Sequence, residues 1–488
     1  MPLSFPPGVY RNGTEYQSKG RFYDANLVRW FEGTMRPVGG WRPRSASTVT
    51  GKGRCIITWT ANDGDAWIGI GTNSNLYAMD RGGTLTDITP AGFTPGFADA
   101  TFAGGYGTGL YGVGTYGTPR ADTTTITPAS VWTLDTWGEY LVGVMAEDGK
   151  IYEWDLNTAN DAVQITNSPT ARAVVVTSER IMMALGADGN PRRVMWSDQE
   201  DNTDWTPSAT NQAGDFDLQT SGRLLCGKRL RGVTLLLTDT DAHTATYTGS
   251  PFFYSFERIG TNCGGASPQC IAIVDGIAYW MGPNGFWQCN GGYVTPLSCD
   301  VSDFVFSNIN SDQISKVFAV HNSAFGEVWW FYPSADETEI DRYAAYNYRE
   351  GHWTIGAMVR LSGADRGVLT YPLMVGDDGV TYEHEVGFEY DGAQPYARTG
   401  PMELGEGDNV VMCRRLIPDE RTAGQVTASF KVRFYPNAAE QDFGPYTLTS
   451  PTDIRFTGRQ VEVIYLGAVL DDWRVGVPRL DIVAGGER

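Results

Sequence analysis

One kind of segment recurs along this chain of 488 residues: an aliphatic strand, a tight turn of Gly, Asp or Asn, and a second strand that carries aromatics. Seven such segments begin near residues 66, 140, 181, 233, 277, 328 and 369, with spacings of 74, 41, 52, 44, 51 and 41 residues. Apart from the first, the spacings match the roughly 40 to 50 residues of one four-stranded propeller blade. The repeat predicts an all-β fold, a β-propeller of seven blades, or of six if a terminal repeat is only a partial blade closed by strands from the other terminus.

Four dipeptides mark the turns of these repeats: Asp148–Gly149, Asp188–Gly189, Asn284–Gly285 and Asp378–Gly379. Such pairs accept the positive φ that tight hairpins of type I′ require. They therefore predict short hairpins between the two strands of each repeat.

The fifth repeat, IAYWMGPNGFWQCNGG at residues 277–292, crowds aromatics around glycines in a way that also suits a binding cleft. Compared with the other copies, it is typical of a blade hairpin, in which Gly282 and Gly285 belong to the turn and Trp280 and Trp287 fill the layer between blades. We therefore interpret these residues as structural.

The long first spacing has a visible cause in residues 91–130, an insertion dominated by Gly, Tyr and Thr. A stretch of this composition forms no core of its own, so it is predicted to be a long loop within the propeller of residues 51–392. Either it is a mobile surface loop, or Tyr106, Tyr111 and Tyr116 pack on a neighbouring subunit or line a channel.

Both ends of the chain differ from the repeats. Residues 1–50 are rich in aromatics and arginine, which are favoured interface anchors, and predict an arm that docks on the propeller or on a partner. Residues 393–488 alternate between polar and apolar positions and have Pro and Gly turns, which predicts a separate β-sandwich-like domain. No secretory signal or membrane span is expected.

The charge and the cysteines limit the function. Against 57 acidic side chains stand 37 basic ones, a formal charge of −20, so the chain as a whole gains no counterion-release affinity for nucleic acid. The seven cysteines are scattered, with no CxxC pair and no histidines at zinc spacing, and are expected to be free thiols made in a reducing cytoplasm.

Catalytic signatures are absent from the sequence. The four histidines, His243, His321, His352 and His384, lie in different repeats, and neither a nucleophile elbow nor a Walker loop occurs. We therefore predict that the chain is not an enzyme and that it carries no cofactor and no metal.

The densest carboxylate cluster is MWSDQEDNTDW at residues 195–205. It departs from a calcium loop, which needs a glycine at its bend, and from the Asp-box SxDxGxxTW of sialidases. A blade corner is the simpler interpretation, with Asp198 and Asp201 accepting N–H bonds in the turn and Trp196 and Trp205 packing between blades.

Several stretches resemble a known family. The opening GVYRNGTEYQSKGRFYDANLVRWFEGTMRPVGGW, the insertion GGYGTGLYGVGTYGTPR, the corner MWSDQEDNTDW and the close DWRVGVPRLDIVAGGER resemble segments of tail proteins of tailed bacteriophages, of the nozzle or packaged-DNA stabilisation type. The family is defined more by architecture than by a catalytic signature.

This resemblance implies a structural subunit of the virion tail, assembled in the host cytoplasm. Such a subunit forms a homo-oligomer, usually a sixfold ring, below the portal and adaptor rings, contacts tail fibre or spike proteins and, on infection, the host surface. The ring would close the DNA channel, retain the packaged genome and conduct the viral double-stranded DNA during ejection without binding it specifically. An acidic wall would repel the duplex within a Debye length of about 8 to 10 Å, so that DNA slides through.

A second hypothesis stays open: a carbohydrate-binding or glycan-cleaving propeller, serving as a receptor-binding virion component. Trp280, Trp287, Trp329 and Trp330 are aromatic rings of the kind that stack on sugars.

Overall fold

The computed structural model describes residues 1–102, 126–405, 409–422 and 424–487, which are almost entirely β. One short helix, α1 (Ser302–Ser307), and three 3₁₀ turns (Glu15–Ser18, Ala187–Gly189 and Ser311–Lys316) interrupt the strands. None of the described helices is long and apolar enough to cross a bilayer.

The N-terminal segment forms four strands before the first complete blade begins. They are β1 (Phe22–Asn26), β2 (Val28–Phe31), β3 (Thr34–Pro37) and β4 (Trp41–Pro43).

Seven four-stranded antiparallel sheets follow, with a two-stranded ladder at the base of the insertion after the first of them. Blade one is β5 (Gly53–Thr60), β6 (Ala66–Thr72), β7 (Leu76–Asp80) and β8 (Leu85–Asp87); the ladder is β9 (Thr101–Phe102) and β10 (Ile126–Thr127); blade two is β11 (Trp132–Trp137), β12 (Tyr140–Met145), β13 (Ile151–Trp154) and β14 (Val163–Gln164); blade three is β15 (Ala173–Val176), β16 (Met182–Leu185), β17 (Arg193–Trp196) and β18 (Gly214–Asp217); blade four is β19 (Leu224–Arg229), β20 (Thr234–Thr238), β21 (Asp241–Gly249) and β22 (Phe253–Thr261).

Blade five is β23 (Ile271–Val274), β24 (Ile277–Met281), β25 (Phe286–Cys289) and β26 (Val294–Pro296); blade six is β27 (Phe318–Asn322), β28 (Glu327–Tyr332), β29 (Arg342–Asn347) and β30 (His352–Ala357); blade seven is β31 (Ser362–Ala364), β32 (Leu373–Val375) and β33 (Thr381–His384), completed by β4.

The described residues therefore form a propeller of seven blades, which confirms the β-propeller and rules out the six-bladed alternative. Each predicted repeat coincides with the second strand of one blade. The first strands of neighbouring blades contact one another around the axis, least extensively between blades four and five. Buried aliphatic and aromatic side chains fill the layers between the blades, as expected for sheets covered on both faces.

The seventh blade corrects the expected boundary at residue 50. Strand β4 is the outer strand of this blade, with Trp41 opposite His384 and Arg42 opposite Glu383. Residues 41–43 therefore belong to the propeller and not to an arm, because the outer edge of β33 needs a partner that the chain around it does not supply.

The C-terminal residues form two sheets that pack together as a β-sandwich. One has the order β1-β34-β40-β37-β38, with β35 also on β40, and the other has the order β39-β36-β41. The N-terminal strand β1 is thus an edge strand of this domain, which therefore draws on more than residues 393–488. The strands are β34 (Tyr396–Thr399), β35 (Met402–Glu403), β36 (Asn409–Ile417), β37 (Val426–Arg433), β38 (Gln441–Thr447), β39 (Thr452–Gly458), β40 (Gln460–Gly467) and β41 (Arg479–Glu487).

The hairpin turns only partly follow the prediction of type I′. Both residues have positive φ in Asp188–Gly189, at 48° and 75°, whereas only the glycine does in Asp148–Gly149 and Asp378–Gly379. Neither residue of Asn284–Gly285 has positive φ. That turn is instead closed by a hydrogen bond from the Gly282 amide to the Gly285 carbonyl at 2.8 Å, so type I′ is wrong there.

Candidate functional site at the axial mouth

The axial mouth is the end of the propeller axis at which the first strand of each blade begins. Segments that lead into β11, β15, β19, β23 and β27 converge there, and the insertion of residues 91–130 starts and ends there. The central opening is where propellers commonly hold ligands, because loops from several blades meet at one place.

A single side chain spans the axis just below this mouth. Gln269, which precedes β23 of blade five, donates from Nε2 to the Trp132 carbonyl of blade two at 2.8 Å and to Cys55 Sγ of blade one at 3.1 Å. Because one glutamine side chain reaches across, the axis of the propeller is no wider than a side chain at this level.

The base of the insertion is fixed above the mouth by reciprocal hydrogen bonds. The Ser130 amide donates to the Phe97 carbonyl at 2.9 Å, and the Phe97 amide donates to Ser130 Oγ at 2.9 Å. Further along, Gln313 accepts from the Ala100 amide at 2.9 Å and donates back to the Ala100 carbonyl at 3.3 Å. The insertion therefore leaves from an anchored root that bridges blade two and the connection between blades five and six.

A buried lysine strengthens this root. Lys316 Nζ, with a fully buried side chain, lies 2.5 Å from Asp99 Oδ1 and also bonds the Thr338 carbonyl. Glu339 binds the buried Arg54 at 2.6 and 2.7 Å and lies 3.8 Å from the lysine. Burial and the nearby Arg54 lower the pKa of Lys316, while Asp99 and Glu339 oppose that shift.

Beside the root lies a cavity of about 220 Å³. Its apolar walls come from Ile126, Pro128, Leu224, Pro268 and Ile314, among others. Its polar lining includes Arg172, Arg223, Glu147, Asp312 and the hydroxyls of Ser130, Ser267, Ser311 and Ser315. We call this cavity the cup; Ser267 and Pro268 on its wall directly precede Gln269 in the chain.

Arg172 is the unusual charge in this cup. Its guanidinium makes no hydrogen bond and no ion pair with any described residue, although the side chain is only partly exposed. Burial lowers the pKa of the Arg172 guanidinium and the neighbouring Arg223 lowers it further, while Glu147 and Asp239 oppose that shift. Arg223, by contrast, is exposed and lies 3.2 Å from Asp239.

The residues of the fifth repeat occupy the packing layer of blade five. Trp280 is fully buried and donates from Nε1 to the Cys263 carbonyl at 2.8 Å, while Trp287, half-buried, lies opposite it on β25. A Cβ on Gly282 would meet the Trp287 indole at 3.0 Å, whereas one on Gly285 would have room. Gly282 is thus required by packing.

The cluster at residues 195–205 is a corner at the end of β17. Asp198 Oδ1 accepts the amides of Gln199 and Gln212, both at 2.8 Å, and Asp201 Oδ1 accepts the Thr203 amide at 2.9 Å. The carboxylates are thus engaged by N–H groups of the turn itself.

The two tryptophans of this corner are buried on different sides of blade three. Trp205 packs with residues of blades two and three, and its Nε1 donates to the Asn202 carbonyl at 2.7 Å. Trp196 packs against Tyr254 and Phe256 of blade four. The corner therefore connects three consecutive blades.

Three of the four histidines, His243, His352 and His384, are buried, and burial lowers the pKa of each. His321 differs: its Nδ1 lies 3.1 Å from Asp365 and its Nε2 lies 3.0 Å from the Tyr348 hydroxyl. A carboxylate, an imidazole and a phenol in line resemble a proton relay. His321 lines a cavity of about 20 Å³ together with Trp329 and Met374, and this space holds about one water molecule, so it is too small for a substrate.

One group of carboxylates could be mistaken for a metal site. Oxygens of Glu15, Glu440 and Glu462 lie within 4.8 Å of one another. Arg433 lies 2.5 Å from Glu462 and 3.3 Å from Glu15, and Arg398 contacts the same two carboxylates. Arginine already supplies the positive charge that these carboxylates need, so the cluster fits an ion-pair network between the N-terminal segment and β40.

No sequence pattern singled out Arg172, Gln269 or Lys316, and His321 was noted only as one of four scattered histidines. Each owes its surroundings to residues far away in the chain, such as Gln269 and Cys55, which are 214 positions apart. No local spacing signals such a contact. Tyr106, Tyr111 and Tyr116 of the insertion lie outside the described residues.

No protein-family model matches the chain, and no characterised protein matches its sequence. Solved structures that it resembles include a streptogramin B lyase (9% identity, 70% of this chain and 97% of that one, TM-score 0.42), BamB from Moraxella catarrhalis (11%, 71% and 98%, 0.31) and an exo-β-1,3-galactanase from Phanerochaete chrysosporium (9%, 92% and 99%, 0.30). These likenesses are distant, and the activities of those proteins do not transfer to this chain.

Proposed function

We propose that this chain is a structural subunit of a bacteriophage tail, a nozzle or tail-tube component. Copies of it would assemble into a ring, usually of six, which closes the DNA channel, retains the packaged genome and conducts it during ejection. It would act without catalysis, between the adaptor and portal-proximal proteins and the tail fibres or spikes.

The observation that carries this proposal is the closed axis of the propeller. Gln269 crosses the axis and the insertion root is anchored beside the mouth, so the protein's own chain closes the axis itself, although the cup beside it stays open. A DNA duplex does not fit through an opening one side chain wide. The conduit would have to lie between copies of the chain, as the hole of a ring.

The way the chain joins its domains also supports a rigid building block. The buried Arg29 of β2 lies 2.5 Å from Glu385 and 3.0 Å from Glu327, while β1 extends the C-terminal sheet through β34. One N-terminal segment is thus fixed to blade six, blade seven and the sandwich. A subunit that transmits force from a pressurised genome needs such a connection.

For the alternative, a glycan-binding propeller, most of the tryptophans expected to stack on sugars are inaccessible. Trp280, Trp329 and Trp330 are buried and unavailable for stacking, and Trp287 is half-buried. An accessible aromatic surface exists elsewhere, between the outer strands of blades three and four, where Phe216 stacks on Phe256 at 4.8 Å and Phe252 is 80% exposed. A sugar-binding role would have to use that groove.

Electron microscopy and mass photometry of the purified chain test the proposal. We expect sixfold rings, alone or after addition of an adaptor protein. As a matched variant, Tyr106, Tyr111 and Tyr116 replaced together by Ser should leave the melting temperature unchanged and should weaken the ring if the insertion is a subunit contact. A chain that stays monomeric with adaptor present and retains or hydrolyses glycans would refute the proposal.

The lumen of the ring supplies a second test. The −20 charge of the chain leads us to expect an acidic wall along which DNA slides. A ring whose lumen is lined mainly by Lys and Arg would contradict this part of the proposal.

A further inference from the structure

The cup at the axial mouth contains an arginine without a direct partner. Arg172 lines the cavity of about 220 Å³ without a hydrogen-bonding or ionic partner among the described residues. Ser315 lines the same cavity, and its Oγ is buried without a hydrogen bond. Both residues thus supply donors to one cavity without an acceptor among the described residues, and of these donors the Ser315 hydroxyl is the buried one.

The other charged residues of the cup do not share this condition. Arg223 is exposed and pairs with Asp239, and Glu147 is exposed to solvent. Asp312 is partly exposed at the start of the 3₁₀ turn that carries Ser315. Water can therefore compensate the acidic groups, whereas the half-buried Arg172 feels the charges of Glu147 and Asp239 but forms no direct hydrogen bond or ion pair with either.

The walls of the cup indicate the polarity and the size of the ligand that would fit it. Ile126, Pro128, Leu224, Pro268 and Ile314 present apolar surface, which favours a ligand body that leaves water readily. Arginine binds carboxylates with two parallel N–H donors, and a serine hydroxyl adds a third. The volume suits a body of about the size of one amino-acid side chain.

We propose that this cup is a binding site for a small carboxylate with a compact apolar body, and that Arg172 binds the carboxylate. Ser315 positions the same group by donating from its hydroxyl. The inference is independent of ring formation, because every residue that it uses belongs to a single chain.

Three probes of one shape test the proposal on the full chain: benzoate, benzyl alcohol and benzylammonium. We expect saturable binding of benzoate alone, measured by calorimetry and by ligand-observed NMR at constant ionic strength. The change Arg172→Gln, which keeps most of the side-chain stem, should weaken benzoate binding about tenfold or more, because a charge-assisted bond is lost.

Arg81→Gln is the matched control, since Arg81 is an exposed arginine on blade one, and it should leave the affinity unchanged. If Arg172→Gln lowers the melting temperature, Ser315→Ala tests the same cup with Arg172 in place and should weaken benzoate binding severalfold. Unchanged affinity in both cup variants, equal binding of benzyl alcohol, preferred binding of benzylammonium, or no binding of benzoate would each overturn the proposal.

Discussion

Blades five and seven have the same four-stranded topology but are held together differently. Blade five is one continuous stretch, and its centre is the fully buried Trp280. Blade seven takes its outer strand from residues 41–43, and the contact between Arg42 and Glu383 joins positions 341 residues apart. Here charge accompanies packing, because Arg42 and Arg44 both bind Glu383, at 2.8 and 2.6 Å.

The two blades differ in how the pairing register of the outer strand is determined. A strand that follows its neighbour through a short turn finds its register locally, so that apolar packing suffices. A strand that arrives from the other end of the chain has no such guide. We hypothesise that its ion pairs select the register, a role attested for buried charges in other folds although they add little net stability.

The largest effect is expected in blade five. The change Trp280→Ala should lower the free energy of unfolding by about 3 to 5 kcal/mol, because a large buried side chain leaves a cavity. Urea unfolding followed by circular dichroism measures this, with Trp287→Ala as the control on the half-buried side and a smaller loss expected there. Equal losses in the two variants would show that blade five is not centred on Trp280.

The second largest effect on stability is expected at the buried Arg29, which pairs with Glu385 next to blade seven. Arg29→Met should cost about 3 kcal/mol in unfolding free energy, because it leaves Glu327 and Glu385 without their cation. Adding Glu327→Gln to Arg29→Met should restore part of the loss, which a double-mutant cycle measures. Additive losses in the cycle would mean that the two side chains do not interact as the structure shows.

Acid should weaken blades six and seven, which contain the buried His352 and His384. Burial lowers the pKa of His352 and of His384, and Arg360, which donates to His384 at 2.9 Å, lowers the latter further. Below about pH 6.5 the unfolded chain binds protons that the buried imidazoles do not. The free energy of unfolding should therefore decrease as the pH is lowered below about 6.5, by at most about 2 kcal/mol per histidine at pH 5.

Thermal unfolding between pH 8 and pH 5 measures this loss. The double change His352→Gln and His384→Gln should flatten the profile over that interval. A profile as steep in the double variant as in the parent would assign the acid sensitivity to other groups.

The smallest effect on stability is expected at Arg42 in β4, compared with Arg44 directly after this strand. Arg42 has 58% of its side chain exposed, against 11% for Arg44. Arg42→Gln should change the unfolding free energy by less than about 1 kcal/mol, since exposed ion pairs contribute little, and Arg44→Gln should cost more. The same urea titrations compare them, and the reverse order would mean that exposure does not govern these pairs.

The sequence alone located the second strand of every blade, because hairpins with aromatic strands repeat at blade length. It misplaced the start of the propeller, since nothing in Trp41–Pro43 signals that the partner strand lies at residues 381–384. It also assigned the wrong turn type to Asn284–Gly285, where neither residue has positive φ and the Gly282 amide donates to the Gly285 carbonyl.

The candidate site was less accessible to sequence reasoning. The tryptophans of residues 195–205 were placed between blades by their size and spacing alone. Arg172 and Ser315 meet at one cavity although blades three, four and five lie between them in the chain. Only closure of the propeller ring brings such residues together, so no short motif marks them.

The outer strand of blade seven is synthesised long before the strand with which it pairs. Strand β4 leaves the ribosome early, yet its partner β33 follows about 340 residues later. At roughly 5 to 20 residues per second, this delay is about 17 to 70 seconds. During that time blade seven is incomplete and the edge of β4 is unpaired. The nascent chain therefore has to be kept from pairing with other nascent chains on the same mRNA until the propeller closes.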